Sequence, residues 1–257
     1  MKKSLLLLIL TTYLTTLFCQ NLNLNNIEIP SITEKRSDRV ITHKGYTVSY
    51  NYDWKIPNWV AYELTSLEVK GEVPRYDRFK PDPMVPQNVT AKTDDYKYSG
   101  YDRGHMAPAA DMKWDEQAMK ESFYLSNICP QNPNLNGGVW KDLEEQVREL
   151  ASQKGKILVA CGPIVNDASN TIGENKVVVP QAFFKVLLQV EDEEVCTIGF
   201  VYENKSGRKP MSTYAMTVDD VEEITGIDFF PALPDKIEKK TEAEIDFSKW
   251  IIKVNSL

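Results

Sequence analysis

Apolar and polar positions alternate along the chain from about residue 41 in segments typical of strands and helices. The stretches YTVSYNYDW and NWVAYELTSL are rich in β-branched and aromatic residues, which predicts two neighbouring strands. Three longer apolar runs, GKILVACGPIV, VVVPQAFFKVLLQV and VCTIGFVY, predict three more. The shorter FYLSNI predicts a further strand that ends near Asn127.

Helical spacing is clearest in the segment VWKDLEEQVRELASQKG, which ends at Gly155. One stripe of this helix carries its large apolar residues, Trp140, Leu143, Val147 and Leu150. The segment TVDDVEEITG predicts a second helix, with Thr217 as its N-cap and Gly226 as its stop. KWDEQAMKESF predicts a short surface helix, and the Lys/Glu-rich run DKIEKKTEAEID predicts a solvated face.

These elements together predict an α+β fold with a mixed, largely antiparallel central sheet flanked by helices. The chain has 257 residues, of which 42% are hydrophobic and 26% charged, so it can bury one substantial core. The predicted domain covers residues 41–252 and is followed by a short tail, residues 253–257. It is preceded by a polar, Asn-rich segment, residues 21–40, which predicts a linker.

The first twenty residues have the layout of a secretory signal peptide, with two lysines ahead of a short apolar run. This predicts export to the periplasm or the extracellular space. A retained membrane anchor is the weaker alternative, because threonines interrupt the run and it is shorter than the ~20 apolar residues of a full span. A lipoprotein anchored through Cys19 is also disfavoured, because the bulky Phe18 stands where a small residue is expected.

The formal net charge of −7 does not favour binding of nucleic acid by the surface as a whole. A cleft can nevertheless be basic within an acidic protein. Beyond the leader the chain holds three cysteines, Cys129, Cys161 and Cys196. An odd number allows one disulfide and one thiol, or three buried thiols. The second reading is favoured because Cys161 and Cys196 lie in strand-like apolar runs.

One of only two histidines in the chain stands in the tetrapeptide DRGH. Histidine accepts a proton near neutral pH, and arginine is well shaped to hold phosphate oxygens. Gly104, between Arg103 and His105, permits a close backbone approach or an unusual conformation. The combination favours hydrolysis of a phosphate ester over the alternative of a core histidine beside a surface ion pair.

The downstream block LSNICPQNPNLNGGVWKDLEEQVR adds candidate polar residues. A strand bearing His105, a second strand ending near Asn127 and a helix opening near Asn136 would surround a single metal ion. The side-chain oxygen of Asn136 suits Mg²⁺, although plain helix capping is the alternative. Glu144 and Arg148 are spaced to face one another on a helix and could form a surface ion pair.

The motifs DRGHMAP, SNICPQ and LNGGVWKDLE resemble, in order and spacing, the sugar-non-specific DNA/RNA endonucleases of the ββα-metal (His-Me finger) superfamily. The resemblance covers residues 41–252. It implies a Mg²⁺-dependent enzyme, with Mn²⁺ able to substitute, that hydrolyses DNA and RNA with little sequence preference and leaves 5′-phosphate ends. The substrates would therefore be DNA and RNA, and no membrane span is expected after signal cleavage.

The resemblance also implies residue roles. His105 matches the general base, Arg103 a catalytic arginine, and Asn127 the asparagine that supports the histidine and the metal environment. Asn136 matches the metal ligand, Glu144 the residue that acts on the metal through water, and Arg148 a residue near the cleft that can contact phosphate. A further phosphate-binding arginine is expected upstream, where the choice falls on Arg75 with Arg78 as the runner-up.

Two other functions are compatible with these motifs. The first is an inactive member of the same fold that binds nucleic acid or another partner without cutting it. The second is a hydrolase of a different phosphodiester or a nuclease with marked sequence preference, because the motif specifies chemistry more than substrate. The sequence leaves the oligomeric state open and gives no catalytic role to Cys129 or His43.

Overall fold

A computed structural model describes residues 26–191 and 194–250. The predicted signal peptide and the C-terminal tail lie outside these residues. The predicted α+β class is confirmed, with a large antiparallel sheet and helices on both of its faces. No helix within the described part of the chain is long and apolar enough to cross a membrane.

The strands in chain order are β1 Ser31–Ile32, β2 Arg39–Thr42, β3 Thr47–Asn51, β4 Ile56–Thr65, β5 Asp102–His105, β6 Ile128–Gln131, β7 Lys156–Ile164, β8 Thr171–Ile172, β9 Val177–Val178, β10 Ala182–Glu191, β11 Glu194–Glu203, β12 Ala215–Met216 and β13 Ile227–Asp228. The helices are α1 Glu116–Ser122, α2 Pro133–Asn136, α3 Val139–Lys154, α4 Val218–Thr225 and α5 Asp235–Glu242. Short 3₁₀ turns connect several of them.

Seven strands form the main sheet in the order β12, β11, β10, β7, β4, β3, β2, and every neighbouring pair is antiparallel. The central strand β7 is buried along eight of its nine residues, because apolar side chains cover both faces of the sheet. One core packs α3 against one face, and the second packs α4 against the other. The two faces can therefore carry separate functions.

Local signals set the ends of the helices as the sequence predicts. Thr217 caps α4 by accepting a hydrogen bond from the backbone N–H of Asp220. Gly226 ends α4 in the left-handed conformation, with φ of 62°, and Gly155 follows α3 with φ of 91°. Both positions favour glycine because a Cβ atom strains the backbone at positive φ.

Residues 26–40 differ from the predicted linker, because they pack against the domain. Ile27 is fully buried in the second core, β1 pairs with β13, and β2 is an edge strand of the main sheet. The apolar residues in this segment are few and stand among charged and polar ones, so they give no sustained periodic signal. Only contacts with residues far along the chain reveal their burial.

Two other predicted elements are corrected. FYLSNI does not form a strand, because Leu125–Asn127 is a 3₁₀ turn and β6 begins only at Ile128. The run DKIEKKTEAEID is not wholly solvated, since α5 ends in the buried residue Glu242. Cys129 and Cys161 are buried thiols, as the favoured reading predicts, whereas Cys196 is only half-buried. No disulfide joins the cysteines of the described chain.

Candidate active site

Two short strands and the following helices form the candidate site. Strand β5 pairs antiparallel with β6, so that His105 lies opposite Ile128 and Asp102 lies opposite Gln131. Strand β6 leads directly into α2 and α3. The predicted arrangement of two strands and a helix is therefore present, built from a chain segment of about fifty residues.

Gly104 allows the close packing of these two strands. A Cβ atom at this position would lie 2.1 Å from Oε1 of Gln131, well inside contact distance. Of the two explanations open at the sequence level, the structure supports close approach, because Gly104 is not among the residues with positive φ. Glycine thus lets Arg103 and His105 flank a tightly packed backbone.

The ring of His105 packs against two phenylalanines, which also contact each other, and it is almost completely buried. Its centroid is 4.9 Å from that of Phe123 and 5.3 Å from that of Phe79. Nε2 is buried and has no hydrogen-bond partner. Burial, followed by the positive charge of Arg75, lowers the pKa of His105 to about 3. The imidazole is therefore neutral at physiological pH, and its unpaired nitrogen marks a place for a water molecule or a ligand.

Each of these two phenylalanine rings also contacts an arginine. The guanidinium of Arg103 is 4.7 Å from the centroid of Phe79, and that of Arg75 is 5.0 Å from the centroid of Phe123. Both arginines are exposed and can contact a phosphate, whereas Arg78 lies over Tyr76, 6.0 Å from its centroid. The geometry brings Arg75 and Arg103, rather than Arg78, to the histidine.

Asn127 is fully buried and holds the backbone that follows His105. Its Oδ1 accepts a hydrogen bond from the N–H of Ala107, and its Nδ2 donates to the carbonyls of Ala107 and Ser122. Its own carbonyl accepts from the N–H of Met106. Three of these bonds use both ends of the side-chain amide and the fourth uses the backbone, so Asn127 positions the strand of His105 through its backbone.

Asn136 is the last residue of α2, and Nδ2 donates a 2.9 Å hydrogen bond to Oδ2 of Asp102. The carboxylate can only accept, which fixes Nδ2 on this side and leaves Oδ1 available to a ligand. Plain capping does not explain Asn136. The side chain of Asn132 caps α2, and Gly138 is the N-cap of α3 without a side-chain bond.

Glu144 is half-buried on the side of α3 that approaches Lys185 of the sheet, and it does not lie on an exposed helix surface. Its carboxylate lies within electrostatic reach of Lys185, Asp111 and Arg148. Burial and the negative charge of Asp111 raise the pKa of Glu144 to about 7, against the opposing effect of Lys185. Lys185 is fully buried on β10, with Nζ 4.7 Å from the centroid of Trp140.

Arg148 is held by a buried carboxylate. Nη1 donates to Oδ1 of Asp111 at 2.8 Å, and Oδ2 of the same aspartate accepts from the hydroxyl of Tyr62 at 2.8 Å. Arg148 on α3 therefore pairs with Asp111, in a segment distant along the chain, and not with Glu144 as the helical spacing allows. Arg148 also borders an open cleft of about 440 Å³ together with Lys113 and Ser152.

The other histidine provides a contrast. His43 is buried, and Nε2 lies 2.9 Å from Oδ2 of Asp82, which also accepts from the hydroxyl of Ser126. A histidine paired in this way with a carboxylate stabilises the fold. Only His105 combines burial with an unpaired ring nitrogen among the histidines of the chain, both of which are described.

Residues 23–236 match the family model for DNA/RNA non-specific endonucleases. The chain belongs to this family. The predicted resemblance is therefore confirmed, and the strand, strand and helix unit around His105 corresponds to the ββα-metal fold of a related solved structure.

Three similar proteins illustrate the relationship. The chain is 40% identical over 207 residues to the mitochondrial nuclease EXOG of Danio rerio, which covers 74% of this chain and 60% of that protein. It is 32% identical over 229 residues to the mitochondrial Nuclease 1 of Schizosaccharomyces pombe, covering 81% of this chain and 71% of the relative. The crystal structure of EndoG in complex with EndoGI aligns with a TM-score of 0.72 at 32% identity, over 78% of this chain and 89% of that one.

The names of these relatives correct the predicted location. Both nucleases are described as mitochondrial, which contradicts export to the periplasm or the extracellular space and points to mitochondria. The export prediction rested on a short apolar leader with two lysines, and such a local pattern does not by itself identify a compartment. That leader lies outside the described residues. The chain spans about three fifths of the length of the Danio rerio relative.

DNA/RNA non-specific endonucleases with the ββα-metal fold use a divalent metal ion. The residues of this chain fit such an ion. Asn136 presents an amide oxygen, held in place by Asp102, and Mg²⁺ prefers hard oxygen ligands of this kind. The proposed ligand is an oxygen, and the nearby thiol of Cys129 is buried in the core, so no thiolate favours a softer metal.

The sequence motifs assign no role to three residues that contact or lie near predicted site residues, namely Asp102, Asp111 and Lys185. Lys185 had a detectable signal, since a lysine within the apolar run AFFKVLLQV is rarely buried without function or pairing. Asp111 had none, because its partners lie far away in the sequence.

Proposed function

We propose that this protein is a Mg²⁺-dependent endonuclease that hydrolyses phosphodiester bonds of DNA and RNA and leaves 5′-phosphate ends. The observation that carries the proposal is the buried, unpaired Nε2 of a neutral His105, flanked by Arg75 and Arg103. A neutral imidazole nitrogen is the form required of a general base. Membership of the family supports the same reaction.

His105 would remove a proton from the water molecule that attacks the phosphorus. Its depressed pKa keeps the nitrogen free of a proton over the physiological range. The rings of Phe79 and Phe123 fix the imidazole in one orientation, and Asn127 fixes the backbone behind it. A general base contributes about 10²–10⁴ to the rate when its pKa lies near the operating pH, and the negative charge of a bound phosphate would raise the pKa of His105 in that direction.

Arg103 and Arg75 would bind the non-bridging oxygens of the scissile and neighbouring phosphates. Each guanidinium lies over an aromatic ring, which limits its rotation. Nε of Arg75 donates to Oδ1 of Asp77, and its terminal N–H groups would contact the phosphate. The positive charges of both arginines offset the negative charge that develops on the phosphate. Because these contacts involve phosphate rather than bases, both DNA and RNA of many sequences should be substrates.

Asn136 would hold the divalent ion through Oδ1, with Asp102 fixing the orientation of the amide. When bound, the ion would supply positive charge that offsets the negative charge developing in the transition state. Glu144 would hold water beside Asn136, while Lys185, Asp111 and Arg148 set the charge around its carboxylate. Arg148 is proposed to position Asp111 and to contact phosphate only at the border of the neighbouring cleft.

The test is cleavage of supercoiled plasmid and of single-stranded RNA by the purified protein, with Mg²⁺ and with EDTA. We expect Mg²⁺-dependent loss of both substrates and products that a ligase can rejoin, since ligation requires 5′-phosphates. His105→Ala should lower the rate by about 10²–10⁴ while circular dichroism stays unchanged. His43→Ala, matched in residue type, should instead lower the melting temperature.

Other outcomes would change the conclusion. Folded protein that binds both polymers without cutting either would identify an inactive binding member of the fold. Cleavage of DNA alone or RNA alone would mean that the cleft reads the sugar as well as the phosphate. An active His105→Ala protein would remove the proposed base.

A further inference from the structure

Three carboxylates meet where α4 and α5 pack together. Asp219 and Glu222 belong to α4, and Glu242 is the last residue of α5. One carboxylate oxygen from each of the three lies within 4.8 Å of the other two. Asp219 is exposed, Glu222 is partly buried and Glu242 is buried, so the group reaches from solvent towards the interior.

Glu242 is the unusual member, because acidic side chains are seldom buried without a partner. It is 2% exposed, and its Oε1 is buried without a hydrogen-bond partner. The preceding residue, Thr241, accepts from the hydroxyl of Thr197 through its carbonyl and donates from its own hydroxyl to the carbonyl of Val195. These two bonds fasten the end of α5 to β11 and hold Glu242 in place.

The surroundings of Glu242 increase the cost of its negative charge. Burial comes first, followed by the charges of Glu222 and Glu238, and together they raise the pKa of Glu242 to about 9. The same causes, burial and neighbouring carboxylates, raise the pKa of Glu222 to about 7. No lysine or arginine forms a salt bridge with Asp219, Glu222 or Glu242 within the described ranges.

A cation is the ligand that such a group lacks. We propose that Asp219, Glu222 and Glu242 bind one Ca²⁺ ion that joins α4 to α5. Three carboxylates and solvent supply the hard oxygen ligands that Ca²⁺ takes, at about 2.3–2.6 Å each. A ligand spread of up to 4.8 Å fits the ~4.6–5.2 Å between opposite oxygens around one Ca²⁺.

Glu222 is already oriented for this role. Its Oε1 accepts a 2.7 Å hydrogen bond from the backbone N–H of Phe229, which leaves the second oxygen for the ion. Mg²⁺ suits the site less well, because it demands a near-ideal octahedron, gives up its water reluctantly and is usually bound through only one or two carboxylates. Exposed Asp219 leaves one side of the site open, so that water molecules complete the larger Ca²⁺ coordination.

The site is separate from the proposed catalytic centre. Helix α4 packs in the core on one face of the main sheet, and α3 packs in the core on the other. Val195 and Thr197, which fasten α5, alternate along β11 with Ile198 and Phe200, which face the α3 core. Ca²⁺ binding therefore stabilises the α4 and α5 side of the fold and leaves the chemistry at His105 to its own metal ion.

The test is the melting temperature of the full chain, stripped with EDTA and then titrated with CaCl₂ at constant ionic strength. At about 10 mM Ca²⁺, roughly tenfold above the Kd of weak protein sites, we expect a rise of about 3–5 °C. Glu242→Gln should abolish this rise while the Ca²⁺-free protein melts no lower than the parent, because glutamine has the same size and is uncharged, as is the protonated Glu242 of the ion-free protein. Glu244→Gln, an exposed change two residues away, should keep the full rise.

Two further variants make the result decisive. Asp219→Asn, at an exposed position where folding is not at risk, should also reduce the Ca²⁺ response, and the adjacent Glu223→Gln should not. Asn136→Ala, which removes the proposed catalytic ligand, should respond to Ca²⁺ like the parent. The proposal is overturned if the parent shows no rise, if Glu242→Gln responds normally, or if Asn136→Ala loses the response.

Discussion

The amide of Asn136 donates a 2.9 Å hydrogen bond to the carboxylate of Asp102. This bond connects the end of α2 with the first residue of β5, the strand that carries His105. It also fixes which end of the amide faces a ligand, because a carboxylate cannot donate. Oδ1 of Asn136, the proposed metal ligand, and His105, the proposed base, are thus both positioned by β5.

Loss of this bond should weaken metal binding. Asp102→Ala is expected to raise the Mg²⁺ concentration needed for half-maximal cleavage by about 10–100-fold, because the amide loses its orientation. Asn136→Ala should raise it further, since the ligand itself is removed. Mg²⁺ titrations of plasmid cleavage measure both. Asn134→Ala, an exposed change in the same helix, serves as the control, and an equal effect there would contradict the assignment.

Arg75 and Arg78 offer a matched comparison. Arg75 lies near His105 and affects its pKa, whereas Arg78 lies over Tyr76. Arg75→Ala should therefore lower kcat/KM on DNA and RNA alike and reduce the salt dependence of binding by about one phosphate contact. Arg78→Ala should have a much smaller effect. Steady-state kinetics at several salt concentrations will decide, and a reversed order would assign the phosphate contact to Arg78.

The depressed pKa of His105 predicts a pH-dependent loss of stability. In the folded protein the pKa is about 3, against ~6.5 for an exposed histidine, so the unfolded chain binds the extra proton between these values. Stability should then fall with decreasing pH by up to ~1.4 kcal/mol per unit below about pH 6. Above pH 7.5 the histidine is neutral in both states and contributes no slope.

His105→Gln isolates this effect because glutamine does not titrate. Urea unfolding at pH 7.5, 6 and 5 should show a shallower decline for the variant than for the parent, with equal slopes only at the highest pH. Parallel curves throughout would show that the histidine is less shielded from solvent than its packing against Phe79 and Phe123 indicates.

The pair of Arg148 and Asp111 should be important for stability. Arg148→Ala leaves a fully buried carboxylate with only the hydroxyl of Tyr62, which is expected to cost about 3–5 kcal/mol. Adding Asp111→Asn should recover part of the loss. Lys141→Ala, which breaks an exposed ion pair with Glu145 in the same helix, should cost less than about 1 kcal/mol. Denaturant unfolding measures all three, and a raised KM without lost stability would favour phosphate binding by Arg148.

Much of the fold follows from local sequence patterns. The apolar stripe of α3, the cap at Thr217 and the stops at Gly155 and Gly226 are each decided by residues a few positions apart. The family likewise follows from DRGH and the block downstream of it, because these residues are close together in the sequence. Such signals need no knowledge of the tertiary structure.

Other features depend on contacts that sequence spacing does not encode. The burial of Ile27, the bond between Asn136 and Asp102 and the choice of Arg75 over Arg78 join segments that are far apart along the chain. The polar sequence around Glu242 predicts a solvated face. Its burial comes instead from packing against β11 and α4, which are distant along the chain.

The sequence alone thus determined the element types, the class of chemistry and the residues available for it. Only the tertiary structure decided which of these side chains meet, since periodicity acts over a few residues and packing acts between distant ones. The same distinction holds for charge. Composition gives the net charge of the chain. Burial lowers the pKa of His105, and tertiary packing leaves Oε1 of Glu242 without a hydrogen-bond partner.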